Sequence, residues 1–415
     1  MKERFPIEYV RSKFPAVDRN DEQLIYFDGP GGTQMVKYAS EKMFNYISNG
    51  MANLHGTFLT SVRTEEIIEE TRNSVSDLLA CSPTEVAFGA NMTSLAFSIS
   101  RSLGFVLEEE DEIVVTEIDH RANVDPWIHL AREKGAKVKF IEVSSQTYSL
   151  NLDDLDNVIT EKTKLVAVSL SSNVTGTVTD INIIAKRAKE VGALLIVDAV
   201  HAVPHMAIDF KQLKCDILFC SAYKFFGPHL GIAVIKEDLF EKLPVFKLEP
   251  APTEIPWKLE TGTQNHEGIA GLSGAINFIE QLGKGATRRQ RLISGIEEID
   301  TYEISLAGTL ENFLKDIPDI QLYRSPDHIK KTSTIAFTIK NQNSRNVTKW
   351  FAEHYNVCVA DGDFYASTMA EKLGVYPLGG WVRVGFAPYN TIEEVELFKE
   401  GMTKFIESRK LMVWQ

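Results

Sequence analysis

The stretch that decides the fold runs from residue 193 to residue 235 and reads ALLIVDAVHAVPHMAIDFKQLKCDILFCSAYKFFGPHLGIAVI. Its three apolar runs have the length of buried strands, and turn-forming segments separate them. Similar runs occur earlier, at residues 111–117, 138–143 and 165–170. Amphipathic stretches lie between the runs; one of them, residues 181–191, stops at Gly192 as a helix does at its C-terminus. The alternation predicts an α/β protein with a mostly parallel, doubly wound sheet.

The rest of the chain changes character after the last of these runs. Residues 243–256 contain four prolines and predict an irregular connection. A helix-rich passage follows, and the last hundred residues mix strand-like runs (334–339, 356–360, 381–386) with a closing helix from residue 391. We therefore expect a second, α+β domain. The predicted division is an N-terminal segment packing on the small domain (1–22), a large domain (23–285) and a small C-terminal domain (286–415).

Composition limits the partners that the protein can have. The 415 residues include 44 Lys+Arg and 57 Asp+Glu, a formal charge of −13. Such a surface repels nucleic acid and anionic membranes, so we expect neither as a partner. The four cysteines form no CxxC pair and no metal-binding spacing, so no metal is expected. No signal peptide or membrane-spanning stretch is recognised, which favours a cytoplasmic location.

Three short segments carry the chemistry. Lys224 follows the apolar run DILFC, where burial lowers the pKa of an amine as a Schiff-base lysine requires, although a surface loop lysine fits the same pattern. Asp198 ends the run ALLIV, where it either caps a helix or meets a cation such as a pyridinium nitrogen. Residues 91–94 (NMTS) precede a helical run, and amides at a helix N-terminus with a hydroxyl can hold a phosphate without basic residues.

The ordered set of motifs resembles fold-type I pyridoxal-phosphate enzymes of aminotransferase class V, in the cysteine desulfurase-like branch. The resemblance runs from about residue 24 to the C-terminus. The matching pieces are YFDGPGGT (26–33), NMT (91–93), HRAN (120–123), SSNVTG (171–176), DAVH (198–201), SAYKFFGPHLG (221–231), ETGTQ (260–264) and WVRV (381–384). It implies a large domain built on a mostly parallel seven-stranded sheet, a smaller α+β domain and pyridoxal 5'-phosphate as the cofactor.

The resemblance also assigns roles around the cofactor. Lys224 would form the Schiff base, Asp198 would pair with the pyridine nitrogen, and His120 would stack on the ring. His201 would donate to the ring's 3-oxygen, and Asn173 would contact either the same oxygen or the substrate amino group. The phosphate would be held by Asn91, Met92, Thr93, Ser221 and Tyr223, the last in place of the histidine that is usual in desulfurases.

Further roles imply a homodimer and a small amino-acid substrate. Thr263 would reach the phosphate of the neighbouring subunit. Arg383 would bind the substrate carboxylate, a task that suits a planar guanidinium. His55 is a further candidate for the substrate site.

The sequence departs from desulfurases in the C-terminal loop ADGDFYA (360–366). Tyr365 occupies the position of the catalytic cysteine, and Cys358 lies in the apolar run NVCVA, where we expect a structural role. Three functions remain open: a lyase that expels a β-leaving group such as a thiolate without an enzyme persulfide, a transaminase, and a non-catalytic cofactor-binding or sulfur-trafficking protein. A dinucleotide-dependent oxidoreductase is rejected because GPGG (29–32) does not match the strand–GxGxxG–helix pattern.

Overall fold

The structure, a computed structural model, describes residues 5–18 and 23–412. The strands in these residues are β1 (Ile25–Tyr26), β2 (Val86–Gly89), β3 (Glu112–Thr116), β4 (Lys137–Ile141), β5 (Thr163–Ser169), β6 (Leu194–Asp198), β7 (Ile217–Ser221), β8 (Gly231–Ile235), β9 (Ile320–Leu322), β10 (Ile335–Ile339), β11 (Val357–Cys358), β12 (Ala360–Gly362) and β13 (Trp381–Val384). The helices are α1 (Ile7–Arg11), α2 (Pro15–Asp18), α3 (Lys37–Ser48), α4 (Leu59–Leu79), α5 (Met92–Leu103), α6 (Asp125–Lys134), α7 (Leu155–Val158), α8 (Ile181–Val191), α9 (Phe210–Leu213), α10 (Glu237–Lys242), α11 (His266–Leu282), α12 (Arg288–Lys315), α13 (Ser344–Tyr355), α14 (Ser367–Lys372) and α15 (Ile392–Met412).

A seven-stranded sheet forms the centre of the N-terminal, larger part of the chain, in the order β2-β8-β7-β6-β5-β3-β4. Its neighbouring strands are parallel except β8, which runs antiparallel to both β7 and β2. This confirms the predicted mostly parallel sheet, and the six predicted strands lie within two residues of their expected bounds. Successive residues of β6 face opposite sides, since Ile196 and Val197 belong to different apolar cores. Helices cover both faces, which is why the inner strands β6, β7 and β8 are almost wholly apolar.

Helix ends follow the expected chemistry. Helix α8 ends at Gly192 with a left-handed φ of 73°, as its sequence predicts. Helix α5 begins at the side chain of Asn91, which accepts a hydrogen bond from the backbone N–H of Ser94 at 2.8 Å. Residues 243–256 contain no helix or strand, which confirms the irregular connection.

A second, four-stranded antiparallel sheet has the order β12-β13-β10-β9 and shares its apolar core with α12, α13 and α15. This confirms the α+β character of the C-terminal part. The N-terminal segment contacts the C-terminal part through Arg11, which pairs with Glu394 of α15. It also contacts the larger part of the chain through Phe14, which packs on Phe278 of α11. The division of the chain into units stays a prediction, and residues 1–4 and 19–22 of the N-terminal unit lie outside the described residues.

Within residues 5–18 and 23–412 the structure contains no helix with the length and hydropathy that crossing a membrane requires.

Candidate active site

The carboxyl ends of β5, β6 and β7 meet the N-terminus of α5 around a pocket of about 600 Å³, part of which is open to solvent. All of the predicted cofactor-binding residues except Thr263 line this pocket. They come together because parallel strands place their carboxyl ends at one edge of the sheet, where loop residues converge.

Lys224 follows β7 in a short 3₁₀ turn, with its Nζ donating a hydrogen bond to the carbonyl oxygen of Pro30. Two causes together lower the pKa of Lys224 to about 7: burial, which removes water from the ammonium group, and, second, the positive charge of Arg383. About half of the molecules therefore carry a neutral amine at pH 7. A neutral amine can act as a nucleophile or accept a proton.

Asp198 ends β6 and accepts a hydrogen bond from the backbone N–H of Val200 at 2.8 Å. Burial raises the pKa of Asp198 to about 7 because the carboxylate has lost its water. A cationic partner in the pocket would offset that cost, as the protonated nitrogen of a pyridine ring does. The environment therefore fits the predicted contact with such a nitrogen.

The sequence analysis missed Asp119, a second buried carboxylate beside Asp198. Its oxygens accept hydrogen bonds from Thr116, Asn123 and the backbone N–H of Ser169, at 2.6 to 2.9 Å. Burial raises the pKa of Asp119 to about 6. The signal was present, because Asp119 follows the apolar strand β3 much as Asp198 ends β6.

Two histidines line the pocket in their neutral form. Burial first, and the charge of Lys224 second, lower the pKa of His120 to about 4. Burial also lowers the pKa of His201 well below its ordinary value, and its Nε2 lies 3.2 Å from the hydroxyl of Thr332 and 3.1 Å from that of Thr334. Neither ring carries a charge at neutral pH, so both can lie against an aromatic cofactor without bringing a cation to it.

The N-terminus of α5 lies at the end of the pocket where the sequence predicts a phosphate site. The backbone passes so close to β8 that a Cβ on Gly231 would lie 2.2 Å from the carbonyl carbon of Asn91, so only glycine fits there. Tyr223 completes this end of the pocket and stacks on His229 with the ring centroids 5.0 Å apart. Burial raises the pKa of Tyr223, so its phenol keeps the proton that it can donate.

Orphaned polar atoms support the fit to the cofactor. Ser171 Oγ and Asn173 Oδ1 are buried in the pocket wall without a hydrogen-bond partner among the described residues. Buried polar groups are rarely left unpaired, so these atoms indicate a polar ligand. Together with a helix N-terminus, a buried acid and a neutral amine, they suit pyridoxal 5'-phosphate.

Arg383 lies on β13 at the edge of this pocket and is buried. Its Nη1 donates to the carbonyl oxygen of Asn173 at 3.1 Å and its Nη2 to Asp28 at 3.0 Å. The ring of Phe364 covers the guanidinium at 3.8 Å. The sequence analysis missed both contacts, and no local pattern could reveal the Asp28 pair, whose partners are 355 residues apart.

Tyr365 lies beside His120, with the ring centroids 5.2 Å apart. Tyr365 itself is 70% exposed. Its carbonyl oxygen accepts a hydrogen bond from the backbone N–H of Arg121 at 2.8 Å. The loop therefore places the Tyr365 phenol next to His120, which lines the pocket, and its correspondence to the desulfurase cysteine stays a prediction.

Two predicted residues do not reach Lys224 within one subunit. Thr263 and His55 line a different pocket, together with Leu248. Within one subunit the His55 backbone N–H donates a hydrogen bond to Glu65 of α4 at 2.6 Å, and the place of His55 in a substrate site stays a prediction. Thr263 was expected to act on a neighbouring subunit, and its separation from Lys224 is compatible with that role.

Comparison with known proteins identifies the group to which this site belongs. The profile of the aminotransferase class-V family matches residues 25–398. Cysteine desulfurases of Enterobacter sp. (strain 638) and Pectobacterium carotovorum (strain PC1) are 30% and 28% identical, each over 96% of this chain and 98% of its own length. The apo cysteine desulfurase of Thermococcus onnurineus NA1 superimposes with a TM-score of 0.88 at 28% identity, covering 98% of this chain and 99% of its own. The chain belongs to the aminotransferase class-V family of pyridoxal-phosphate-dependent enzymes, in its cysteine desulfurase-like branch.

Proposed function

We propose that this enzyme acts on cysteine or a closely related small amino acid and cleaves its Cβ–S bond, releasing the sulfur as a free thiol rather than as an enzyme-bound persulfide. The substrate class rests on the desulfurase relatives. The absence of a persulfide step rests on the residues of this chain.

The position of the cysteines carries the second part of the proposal. All four lie in the described part of the chain, and none lines the Lys224 pocket. Burial raises the pKa of each of them, to about 12 for Cys81, so their thiols are protonated at neutral pH. The loop residue beside His120 is Tyr365, which can donate a proton but cannot accept sulfane sulfur.

The residues of the pocket divide the work of such a reaction. When bound, pyridoxal phosphate supplies a conjugated ring that delocalises the electron pair left on Cα after deprotonation. Lys224 accepts the Cα proton, because about half of its amine is neutral near pH 7. Asp198 supports the positive ring nitrogen, and Arg383 binds the substrate carboxylate. Tyr365 donates its proton to the departing sulfur.

The overall reaction balances without an oxidant or reductant. Cysteine and one water give pyruvate, ammonium and hydrogen sulfide; the Cβ–S bond breaks with its electron pair going to sulfur. An S-substituted cysteine gives the corresponding thiol. A persulfide-forming desulfurase instead releases alanine and leaves sulfane sulfur on the protein.

These products define the experiment. The cofactor-loaded enzyme is incubated with L-cysteine or S-methyl-L-cysteine, without keto acid, and pyruvate, ammonium, thiol and alanine are quantified. We expect equimolar pyruvate, ammonium and thiol, abolished in Lys224→Ala and slowed about 10² to 10⁴-fold in Tyr365→Phe through loss of the general acid. Alanine together with a protein-bound persulfide would refute the proposal.

Membership of a family named for aminotransferases favours transamination as the second candidate. Lys224 serves that reaction too, because it also needs a base at Cα. The same incubation separates the two, since a transaminase forms one keto acid per active site, releases no ammonium and turns over only when an acceptor keto acid is added. No reaction with any amino acid tested would favour the non-catalytic alternative.

We further propose that the enzyme is a homodimer in which each subunit contributes Thr263 to its neighbour's phosphate site. Six apolar side chains are exposed between residues 44 and 62: Phe44, Ile47, Met51, Phe58, Leu59 and Val62. The exposed Leu248 extends this apolar surface to the pocket that contains Thr263. Exposed apolar patches of this kind are typical of subunit interfaces.

A further inference from the structure

A buried polar cluster lies behind the His201 side of the cofactor pocket, outside the residues assigned to catalysis. Its members are His205, Glu303 and Ser333, none more than 4% exposed. His205 follows His201 in the turn after β6, Glu303 lies in the middle of α12, and Ser333 precedes β10. The cluster therefore joins the large sheet to two elements of the C-terminal part.

One carboxylate oxygen makes the connection. Oε2 of Glu303 lies 2.7 Å from Nδ1 of His205 and accepts a hydrogen bond from the hydroxyl of Ser333 at 3.1 Å. Glu303 thus holds two segments that are distant in sequence. Two further charged groups lie near this cluster. The negative charge of Asp300 raises the pKa of Glu303, and the charge of Lys330 in turn acts on Asp300.

Both of those segments hold His201. The two residues that flank Ser333 are Thr332 and Thr334, whose hydroxyls lie 3.2 and 3.1 Å from Nε2 of His201. The ring centroid of His205 lies 5.1 Å from that of His201. The His201 imidazole therefore contacts His205, which Glu303 holds directly, and the two threonines on either side of Ser333, whose hydroxyl Glu303 also holds.

A contribution to stability does not by itself explain the buried carboxylate of Glu303. Burying a carboxylate is costly, and its burial raises the pKa of Glu303 although His205 lowers it. Buried charge pairs are often replaceable by apolar residues without loss of stability, so their presence calls for another role. The backbone next to Ser333 has its own anchor, since Nη1 of Arg324 donates to the carbonyl oxygens of Thr332 and Thr334 at 3.0 and 2.6 Å. What Glu303 adds to this anchored backbone is a fixed position for the His205 ring and the Ser333 hydroxyl.

We propose that Glu303 is a positioning residue that, through His205 and Ser333, fixes the His201 imidazole against the cofactor ring and so couples helix α12 to cofactor binding. This inference rests on the proposed contact between His201 and the cofactor. The pair acts through His201 and does not itself touch the cofactor.

The test compares two buried carboxylates. Glu303→Gln removes the charge at the cluster, and Glu112→Gln does the same at the opposite edge of the sheet, where Glu112 accepts hydrogen bonds from Thr160 and Thr163. We expect Glu303→Gln to weaken the binding of pyridoxal phosphate about tenfold, as interrupting a polar network does, and to shift the visible absorbance of the bound cofactor. Glu112→Gln should lower the melting temperature while leaving the dissociation constant and the spectrum unchanged.

Two further variants complete the design. Ser333→Ala keeps the charge but cuts the arm to Thr332 and Thr334, so it should reproduce the spectral shift even if Glu303→Gln does not fold. His201→Ala should produce a shift at least as large. If His201→Ala leaves binding and spectrum unchanged, the assignment of His201 to the cofactor fails. If His201→Ala changes them and both cluster variants behave like Glu112→Gln, the positioning role is refuted.

Discussion

The amine of Lys224 gives a quantitative prediction that needs no knowledge of the substrate. A lysine with its ordinary pKa of 10.5 is neutral in about 0.03% of molecules at pH 7, whereas a pKa of about 7 makes about half of them neutral. Acylating reagents react only with the neutral amine. At pH 7 the cofactor-free protein should therefore acylate at Lys224 roughly a thousandfold faster than an ordinary lysine of equal access.

The assay is competitive labelling across a pH series, with each lysine-containing peptide quantified by mass spectrometry. Lys137 is the internal control, because its exposed ammonium is hydrogen-bonded to Glu110, which raises the pKa of Lys137 above 10.5. The rate at Lys224 should level off above about pH 7 to 8, while that at Lys137 keeps rising. A rate at Lys224 that rises in parallel with Lys137 up to pH 10 would refute the desolvation argument.

Two charge variants test the smaller contributions, those of Arg383 and Asp28, to the pKa of Lys224. Removing the positive charge in Arg383→Gln should raise the pKa of Lys224 and move the plateau to higher pH. Removing the negative charge in Asp28→Asn should move it lower, because that carboxylate favours the ammonium. Both variants should leave the pKa below 10.5, since burial is the largest cause. Opposite displacements would show that the two charges act through a rearranged pocket.

Two further predictions concern a buried ion pair and the subunit interface. Glu260→Gln should lower the free energy of unfolding by about 3–5 kcal/mol, because it leaves Arg72 buried and unpaired, whereas the exposed pair of Lys42 and Glu70 should lose at most about 1 kcal/mol in Glu70→Gln; equal losses in urea unfolding would contradict this. Phe58→Glu should give a monomer by light scattering, while Phe105→Glu, at a similarly exposed phenylalanine, should leave a dimer; a dimer in both would disprove the assigned interface.

The architecture was predictable because its signals are local. Most strands of the large sheet are short apolar runs, and the loop after such a run lies at the carboxyl edge of a parallel sheet, so the sequence places Asp198 and Lys224 at the same edge. Asp119 obeys the same rule and was overlooked because it stands next to the more conspicuous His120. The contacts of Arg383 with Asp28 and Phe364 could not be predicted, because they depend on how the C-terminal sheet docks on the N-terminal glycine-rich turn.

The loop over Arg383 connects substrate binding to the placement of Tyr365. Nη1 and Nη2 of Arg383 each donate one hydrogen bond, Phe364 covers the face of the guanidinium, and Nε has no partner among the described residues. In the proposed reaction, the Nε–H and the second N–H of each Nη are the donors left for a substrate carboxylate. Phe364 and Tyr365 both have positive φ, a conformation that costs a non-glycine residue about 1–2 kcal/mol.

That strain is sustained by specific contacts. Asp363 accepts hydrogen bonds from the Tyr365 backbone N–H and the Tyr376 hydroxyl, and the amide of Asn173 donates to the carbonyl oxygen of Phe364 at 3.0 Å. Asn173 also accepts a hydrogen bond from Arg383 through its own carbonyl oxygen. Asn173 therefore contacts both Arg383 and the loop that carries Tyr365, through its backbone carbonyl oxygen and its side-chain amide. In the proposed reaction, Asn173 ties the residue that binds the substrate carboxylate to the loop that carries the proton donor.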